Sequence, residues 1–338
     1  MLKNKTILVT GGTGSFGKKF ISLILEKFRT IKKLIIFSRD ELKQFEMMND
    51  FKNKKNSEKL RFFLGDIRDR ERLDVAFQDV DIVIHAAALK QVPSSEYNPF
   101  ETIKTNVFGT QNVVEACVKN NVYKLISLST DKASSPINLY GASKLVADKL
   151  AVGLENIKGK KCRTISAVVR YGNVMASRGS IIPILIKKRN EKKIFLTDKS
   201  MTRFNISLRE AVNLVIYALK FSKGGEIFVP KLSSYKLIDL AKAIAPKASF
   251  SFTGARPGEK IHEEMISFTE SANTIEFKNH YIILPSFRDY AIESYIKKNG
   301  GKKITKNFSY SSDKNHKFLT ISEIKKIVSS LSKEITEN

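Results

Sequence analysis

Tyr140 and Lys144 stand four residues apart, so on a helix a phenol and an ammonium would share one face, one turn from each other. A phenol is a poor base near neutrality, with a free pKa of about 10, but an ammonium within a few ångström stabilises the phenolate and lowers that value. Such a pair can take the proton of an alcohol or sugar hydroxyl. Thr130, ten residues upstream of Tyr140, offers a hydroxyl to orient the same substrate group. Next to it stand Asp131 and Lys132, one candidate acid and one candidate amine base, at the end of an apolar run. A Tyr-x-x-x-Lys pair alone arises often by chance, and its weight depends on the elements that place it.

Those elements begin at the N-terminal end of the chain. Residues 5–10 form a β-branched apolar run, Gly11-Gly12-Thr13-Gly14-Ser15-Phe16-Gly17 follows at once, and residues 18–26 carry apolar positions at helical spacing. Strand, glycine turn and helix in that order predict a dinucleotide site, with Gly11, Thr13, Gly14, Ser15, Phe16 and Gly17 as its cofactor contacts. The glycines allow a tight turn and close approach of backbone N–H groups to a pyrophosphate. The spacing Gly11-x-x-Gly14-x-x-Gly17 differs from the G-x-G-x-x-G of most dehydrogenases.

A second strand over 33–37 ends in Ser38, Arg39 and Lys43, whose charge suits the 2′-phosphate of NADP; Asp40 is the residue that would favour NAD. A third strand over 61–67 brings Asp66 to an adenine amino group and Ile67 to the ring face. Residues 70–77 read as a helix. A fourth strand over 81–85 is followed by Ala86, Ala87 and Ala88, small where a cofactor would lie, and by Lys90 on the nicotinamide side. His85 reads as a core residue. Residues 101–120 read as one long helix with Asn106 in its middle. The fifth strand, 123–128, then delivers Thr130, Asp131 and Lys132 to the carboxyl end of the sheet, where open α/β sheets bind their ligands. The fold expected is α/β, a Rossmann-type doubly wound parallel sheet with a smaller C-terminal lobe. Residues 1–172 form the NADP-binding domain, with 200–222 returning to it, and 173–199 with 223–338 form the substrate-binding lobe. Residues 253–260 read as a loop from their Gly and Pro content, and an amphipathic helix is expected near 321–331.

At 338 residues, 42% hydrophobic and 28% charged, the composition is that of an ordinary globular protein. The formal charge of +25, from 59 Lys+Arg against 34 Asp+Glu, is spread along the chain, without the aromatic–basic pattern of a nucleic-acid binder. It reads as a solvated lysine coat, with no nucleic-acid or membrane partner. Cys117 and Cys162 cannot build a disulfide framework, and no Cys or His has metal-ligand spacing, so no metal is expected. No apolar run approaches the roughly 20 residues of a membrane span, and the first residues lack a signal-type apolar stretch; a cytoplasmic setting is expected.

Taken together, Gly11–Gly17, Tyr140-x-x-x-Lys144 and the late Arg256-Pro257-Gly258-Glu259 loop resemble the extended short-chain dehydrogenase/reductase family. Within it, Ser38-Arg39-Asp40-Glu41-Leu42-Lys43, Ala86–Pro93, Ser129-Thr130-Asp131-Lys132, Arg170–Val174, Ser177–Ser180 and Met201-Thr202-Arg203-Phe204 are most similar to the inverting UDP-N-acetylglucosamine 4,6-dehydratases of pseudaminic acid synthesis. Retaining dehydratases have an Asp-Glu pair where this chain has Asp131-Lys132, and a related capsule group has Met in place of Tyr140. Ser134 and Ser135 depart from the Ala-Asn of the pattern. The resemblance implies UDP-N-acetylglucosamine as substrate, NADP as a bound catalyst, and a homo-oligomer, dimer or hexamer. It makes Thr130, Asp131, Lys132, Tyr140 and Lys144 the catalytic set, with Tyr140 and Lys144 also touching the cofactor. Lys90, Thr130, Asn173, Ile181, Thr197, Arg256 and Glu259 are the implied substrate contacts, Arg256 and Glu259 meeting the diphosphate and ribose. For its part, Lys132 needs a neutral fraction, so nearby positive charge and desolvation are expected to depress its pKa.

Overall fold

The computed structural model describes residues 1–175, 180–286, 292–304 and 307–336. Six strands, β1 (Thr6–Thr10), β2 (Lys33–Ser38), β3 (Leu60–Leu64), β4 (Ile82–His85), β5 (Lys124–Thr130) and β6 (Ile165–Tyr171), lie in the order β3-β2-β1-β4-β5-β6. All five pairings are parallel. The near-continuous apolar runs of these strands follow from burial on both faces. Ile7 and Val9 of β1 join one core with Leu34 and Ile36 of β2, under the helices Ser15–Lys27 and Leu208–Phe221. Leu8, Ile35 and Phe37 point the other way, into a core shared with the helices Arg70–Ala76 and Gly109–Lys119. The period-two alternation of a strand thus divides each run between two helical layers.

Beyond β6 the sheet continues through Ile227–Pro230, parallel to β6, and then antiparallel His280–Ile283, Thr274–Glu276 and Lys302–Lys303. The expected division at 223 placed these strands in the smaller lobe. They belong to the large sheet, because backbone pairing to β6 satisfies an edge that would otherwise stand open. The helix Leu208–Phe221 packs on the sheet through Ala211, Val212, Val215, Ala218 and Leu219, and starts at a capping box of Ser207 and Glu210. By contrast Thr202–Asn205 pairs with Ser233–Lys236 away from that sheet. The lobe has its own core, built from Ile182, Leu185, Ile194, Leu196, Leu237, Leu240 and Ile324. The last helix is Ile321–Thr336.

The long helix expected over 101–120 is interrupted. Pro99–Ile103 runs into a π turn at Lys104–Phe108 before Gly109–Lys119 resumes. The extra residue in that turn aims Asn106 inward, where its Oδ1 accepts from Leu89 N at 2.8 Å and its Nδ2 donates to Leu89 O and Ser143 Oγ.

One ionic network ties the sheet to the helix Leu139–Ile157. Arg170 on β6, fully buried, donates to Asp148 at 3.3 Å and to Glu270 at 2.9 and 3.0 Å, and Asp148 also accepts from Ser129 Oγ at 2.7 Å. Removing one member of such a network leaves an uncompensated buried charge. Arg170→Leu should lower unfolding stability by about 3–5 kcal/mol, read from the urea midpoint. An unchanged midpoint would mean the network contributes nothing net.

Candidate active site

A cleft of about 640 Å³ opens along the carboxyl ends of β1, β2, β4 and β5. Its floor is the glycine turn. Gly11 adopts φ +65, and a Cβ there would sit 2.9 Å from the backbone of Ala87; a Cβ on Gly17 would overlap the Gly12 carbonyl. Gly14 is the N-cap of the helix Ser15–Lys27 and brings no side chain, so it caps none of the first-turn N–H groups, and it lines the cleft itself. Thr13, Ser15 and Phe16 line the same wall. These features suit the pyrophosphate of a dinucleotide.

At the end of β2, Ser38, Arg39 and Lys43 all border the cleft. Asp40 is committed to the helix Glu41–Phe51: its Oδ1 accepts from Lys43 N at 3.0 Å and its Oδ2 from Lys43 Nζ. Arg39 stands half exposed, 3.7 Å from Asp66 Oδ2. Asp66 is bound by Arg68 through both carboxylate oxygens, and Ile67 lines the cleft beside it. Ala87 and Lys90 lie farther in. His85 is a core residue, bonded to Thr10 Oγ1 at 2.8 Å and Thr110 Oγ1 at 3.0 Å, and burial pushes its imidazole down to about 3.

The Thr130–Lys132 stretch sits where β5 ends in a single 3₁₀ turn, Asp131–Ala133, before the helix Leu139–Ile157, which Asn138 caps through Gly141 N. Tyr140 and Lys144 fall on its first two turns, both facing the cleft. Thr130 stands beside Tyr140 at the cleft and donates to Asp131 Oδ1 at 2.9 Å. Lys144 Nζ donates to Leu128 O at 2.7 Å.

The electrostatics of the two pairs run against the sequence-based expectation. Burial pushes the Tyr140 phenol up to about 12, outweighing Lys132 and Thr130, while burial lowers Lys144. Lys132 is not depressed. Burial works in that direction, but Asp131 and Glu263 overcome it and hold the ammonium above its ordinary value. Its Nζ lies 3.1 Å from Asp131 Oδ1 and 2.9 Å from Glu263 Oε1. Asp131, 1% exposed, is raised by burial and then by the charge of Glu263, the direction an acid requires.

A second cavity of about 230 Å³ shares Lys90, Lys132 and Asn173 with the first and is closed by Arg203, Arg256, Glu259, Lys260 and Glu263 from the lobe. Asn173, Arg256 and Glu259 therefore meet at one continuous site. Ile181 and Thr197 do not line it. Ile181 packs on the lobe core, and the Thr197 carbonyl accepts from Gly254 N at 2.9 Å. Ser177, Arg178 and Gly179 lie outside the described residues.

Comparison with known proteins adds the family. Residues 7–285 match the model of the family described as polysaccharide biosynthesis protein. The chain belongs to that family. A Campylobacter jejuni relative named UDP-N-acetylglucosamine 4,6-dehydratase (inverting) is 50% identical over 97% of this chain and 98% of its own. A Rickettsia bellii relative named UDP-glucose 4-epimerase is 42% identical over 98% and 97%. The crystal structure of Pen from Bacillus thuringiensis, 36% identical, superposes with a TM-score of 0.87 and covers 98% of both chains.

In this member of the polysaccharide biosynthesis protein family, Glu263, Lys260 and Arg203 are among the site residues to which the sequence assigns no role. Arg203 lies in the Met201–Phe204 stretch, and Glu263-Glu264 is an acidic doublet just after the 253–260 loop in a strongly basic chain. That doublet was the available signal. Because Gly11 pairs a left-handed φ with a 2.9 Å backbone approach, Gly11→Ala should weaken nicotinamide-dinucleotide binding by about tenfold or more in a fluorescence titration. Undiminished affinity would remove the glycine turn from the cofactor site.

Proposed function

We propose that the protein is a UDP-N-acetylglucosamine 4,6-dehydratase that inverts C5, uses NADP, and begins pseudaminic acid synthesis. The observation that carries this reading is the Asp131–Lys132 contact of 3.1 Å in the same cleft as Tyr140 and Lys144. Epimerisation at C4 calls for the tyrosine alone, whereas loss of water across C5 and C6 calls for a further base and a further acid. The 50% identity to an inverting dehydratase supports the substrate.

NADP, when bound, supplies the chemistry of accepting a hydride from C4 and returning it at C6. Around it Tyr140 takes the C4 hydroxyl proton, with Thr130 holding the phenol in line and Lys144 providing positive charge one turn away. The C4 ketone acidifies the C5 hydrogen. Lys132, as a neutral amine, removes that hydrogen, and Asp131 gives its proton to the C6 hydroxyl, which leaves as water. Water on the opposite face reprotonates C5 and inverts it; of the two protons gained by Tyr140 and Lys132, one restores Asp131 and one neutralises the hydroxide left by that water.

In the second cavity the Arg256 guanidinium matches the diphosphate oxygens and Glu259 the uridine ribose, with Lys90 and Asn173 toward the sugar. NADP is favoured over NAD because Asp40 is engaged as a helix cap while Arg39 remains half exposed at the ribose end. Exposed Tyr97, Phe100 and Phe108 provide apolar surface of the kind a dimer or hexamer covers. No helix among the described residues is long and apolar enough to cross a membrane, and Cys117 and Cys162 are free thiols; the proposal includes a cytoplasmic setting.

Supplied with UDP-N-acetylglucosamine and NADP, the protein should release a 4-keto-6-deoxy sugar nucleotide, seen in proton NMR as a new C6 methyl. A product that keeps its C6 hydroxyl would make it an epimerase, the name its Rickettsia relative carries. Lys132→Met keeps the stem and loses the amine, and should cut product formation by about 10²-fold or more. Turnover near that of the unsubstituted enzyme would take the base role away from Lys132.

A further inference from the structure

Lys132 touches two carboxylates, and only one of them is its neighbour in sequence. Glu263 arrives from 131 residues away, 2% exposed, with its Oε1 2.9 Å from Lys132 Nζ. Its backbone is clamped on both sides by Ser312: Glu263 N donates to Ser312 Oγ at 2.9 Å, and Glu263 O accepts from Ser312 N at 2.8 Å. Ser312 Oγ is bonded in turn to Thr202 Oγ1 at 2.7 Å. The segment around Glu263 also straps the catalytic turn. Lys260 Nζ donates to Ser134 O, Glu264 accepts from Ser134 and Ser135, and Gly258 O accepts from Asn138.

We infer that Glu263 is a positioning residue for the Asp131–Lys132 pair: it anchors the amine and governs how that pair shares its one proton. The inference rests on the dehydratase reading above. With Lys132 cationic and Asp131 ionised, the pair holds a single mobile proton. Moving it from Nζ to Oδ1 across 3.1 Å breaks one N–H bond and forms one O–H bond. The products are a neutral amine and a carboxylic acid, the base and the acid that dehydration needs, and no proton comes from solvent. Glu263 is an anion before and after. It is fixed in that state because Lys132, then Arg203 with its Nε 3.6 Å away, overcome the effect of burial. Its charge repels an ionised Asp131 and so favours the protonated acid, while the same charge holds the ammonium.

The other groups facing this cluster are Lys260, Glu259 and Glu264 on the strap, Tyr235 beside Arg203, and Tyr140 on the helix. Asp131 Oδ2 and Glu263 Oε2 are buried and bond to none of the described residues. The first lies where a Cβ on Gly172 would come within 3.3 Å, so Gly172 leaves that oxygen its room.

Glu263→Gln keeps the shape and removes the charge. Both pKa values of the pair should then fall. The working tautomer carries one proton on the pair, so activity is gained as pH rises through the lower pKa of the pair, where the doubly protonated form loses a proton, and is lost as pH rises through the higher one, where the shared proton leaves. Both limbs of the kcat profile should therefore move to lower pH, by about one unit or more. KM for UDP-N-acetylglucosamine should stay within about threefold, since the carboxylate acts on the chemical step and not on substrate binding. Glu263→Asp, which restores the charge, should return the profile toward that of the unsubstituted enzyme even if kcat stays low. A profile unmoved in Glu263→Gln, with activity falling only in step with the thermal midpoint, would overturn the inference and leave Glu263 a packing residue. If the unsubstituted enzyme makes no 4-keto-6-deoxy product, the dehydratase reading itself fails, an outcome separate from either of these.

Discussion

An ammonium held between two buried carboxylates is the interaction on which the site depends. Lys132 meets Asp131 from the end of β5 and Glu263 from the strap that descends out of the lobe. Each carboxylate alone would be costly to bury, and the amine alone would tend to neutralise. Together they satisfy one another at about 3 Å, and the contact joins the two parts of the molecule across the cleft.

The rest of the architecture puts those three groups in register. The parallel order β3-β2-β1-β4-β5-β6 brings the glycine turn and the end of β5 to the same edge of the sheet. Asn106, turned inward by the π turn, links the Leu89 backbone to Ser143 on the helix that carries Tyr140. Below them Asp148 and Arg170 anchor Ser129, which precedes Thr130. Small residues complete the arrangement: a Cβ at Gly141 would overlap the Lys132 carbonyl, so the Asp131–Ala133 turn packs directly on the helix start.

Much of this was legible in the chain. Strands β1 to β5 are short apolar runs, and the strand–glycine turn–helix opening has a local physical cause, so both could be read in place. Tyr140 and Lys144 share a face because four residues make a turn. What could not be read depended on partners far away in sequence. Ile227–Pro230 and His280–Ile283 join the large sheet through pairing that no local pattern encodes. The π turn at Lys104–Phe108 goes with hydrogen bonds from Asn106 to Leu89 and Ser143, partners 17 and 37 residues away. The direction of the Lys132 shift was misjudged because Glu263, the second carboxylate, is absent from the neighbourhood that sequence displays. Ile181 and Thr197, implied by resemblance, border neither cavity, and Ile181 packs on the lobe core.

The central claim is that an amine on the turn after β5 exchanges the hydrogen at C5 of the sugar. Carrying out turnover in heavy water and locating deuterium in the purified product by NMR tests it most directly. The account predicts one deuterium at C5, with the configuration of that carbon opposite to the substrate's. Product that carries protium at C5, or retains the starting configuration there, would contradict it.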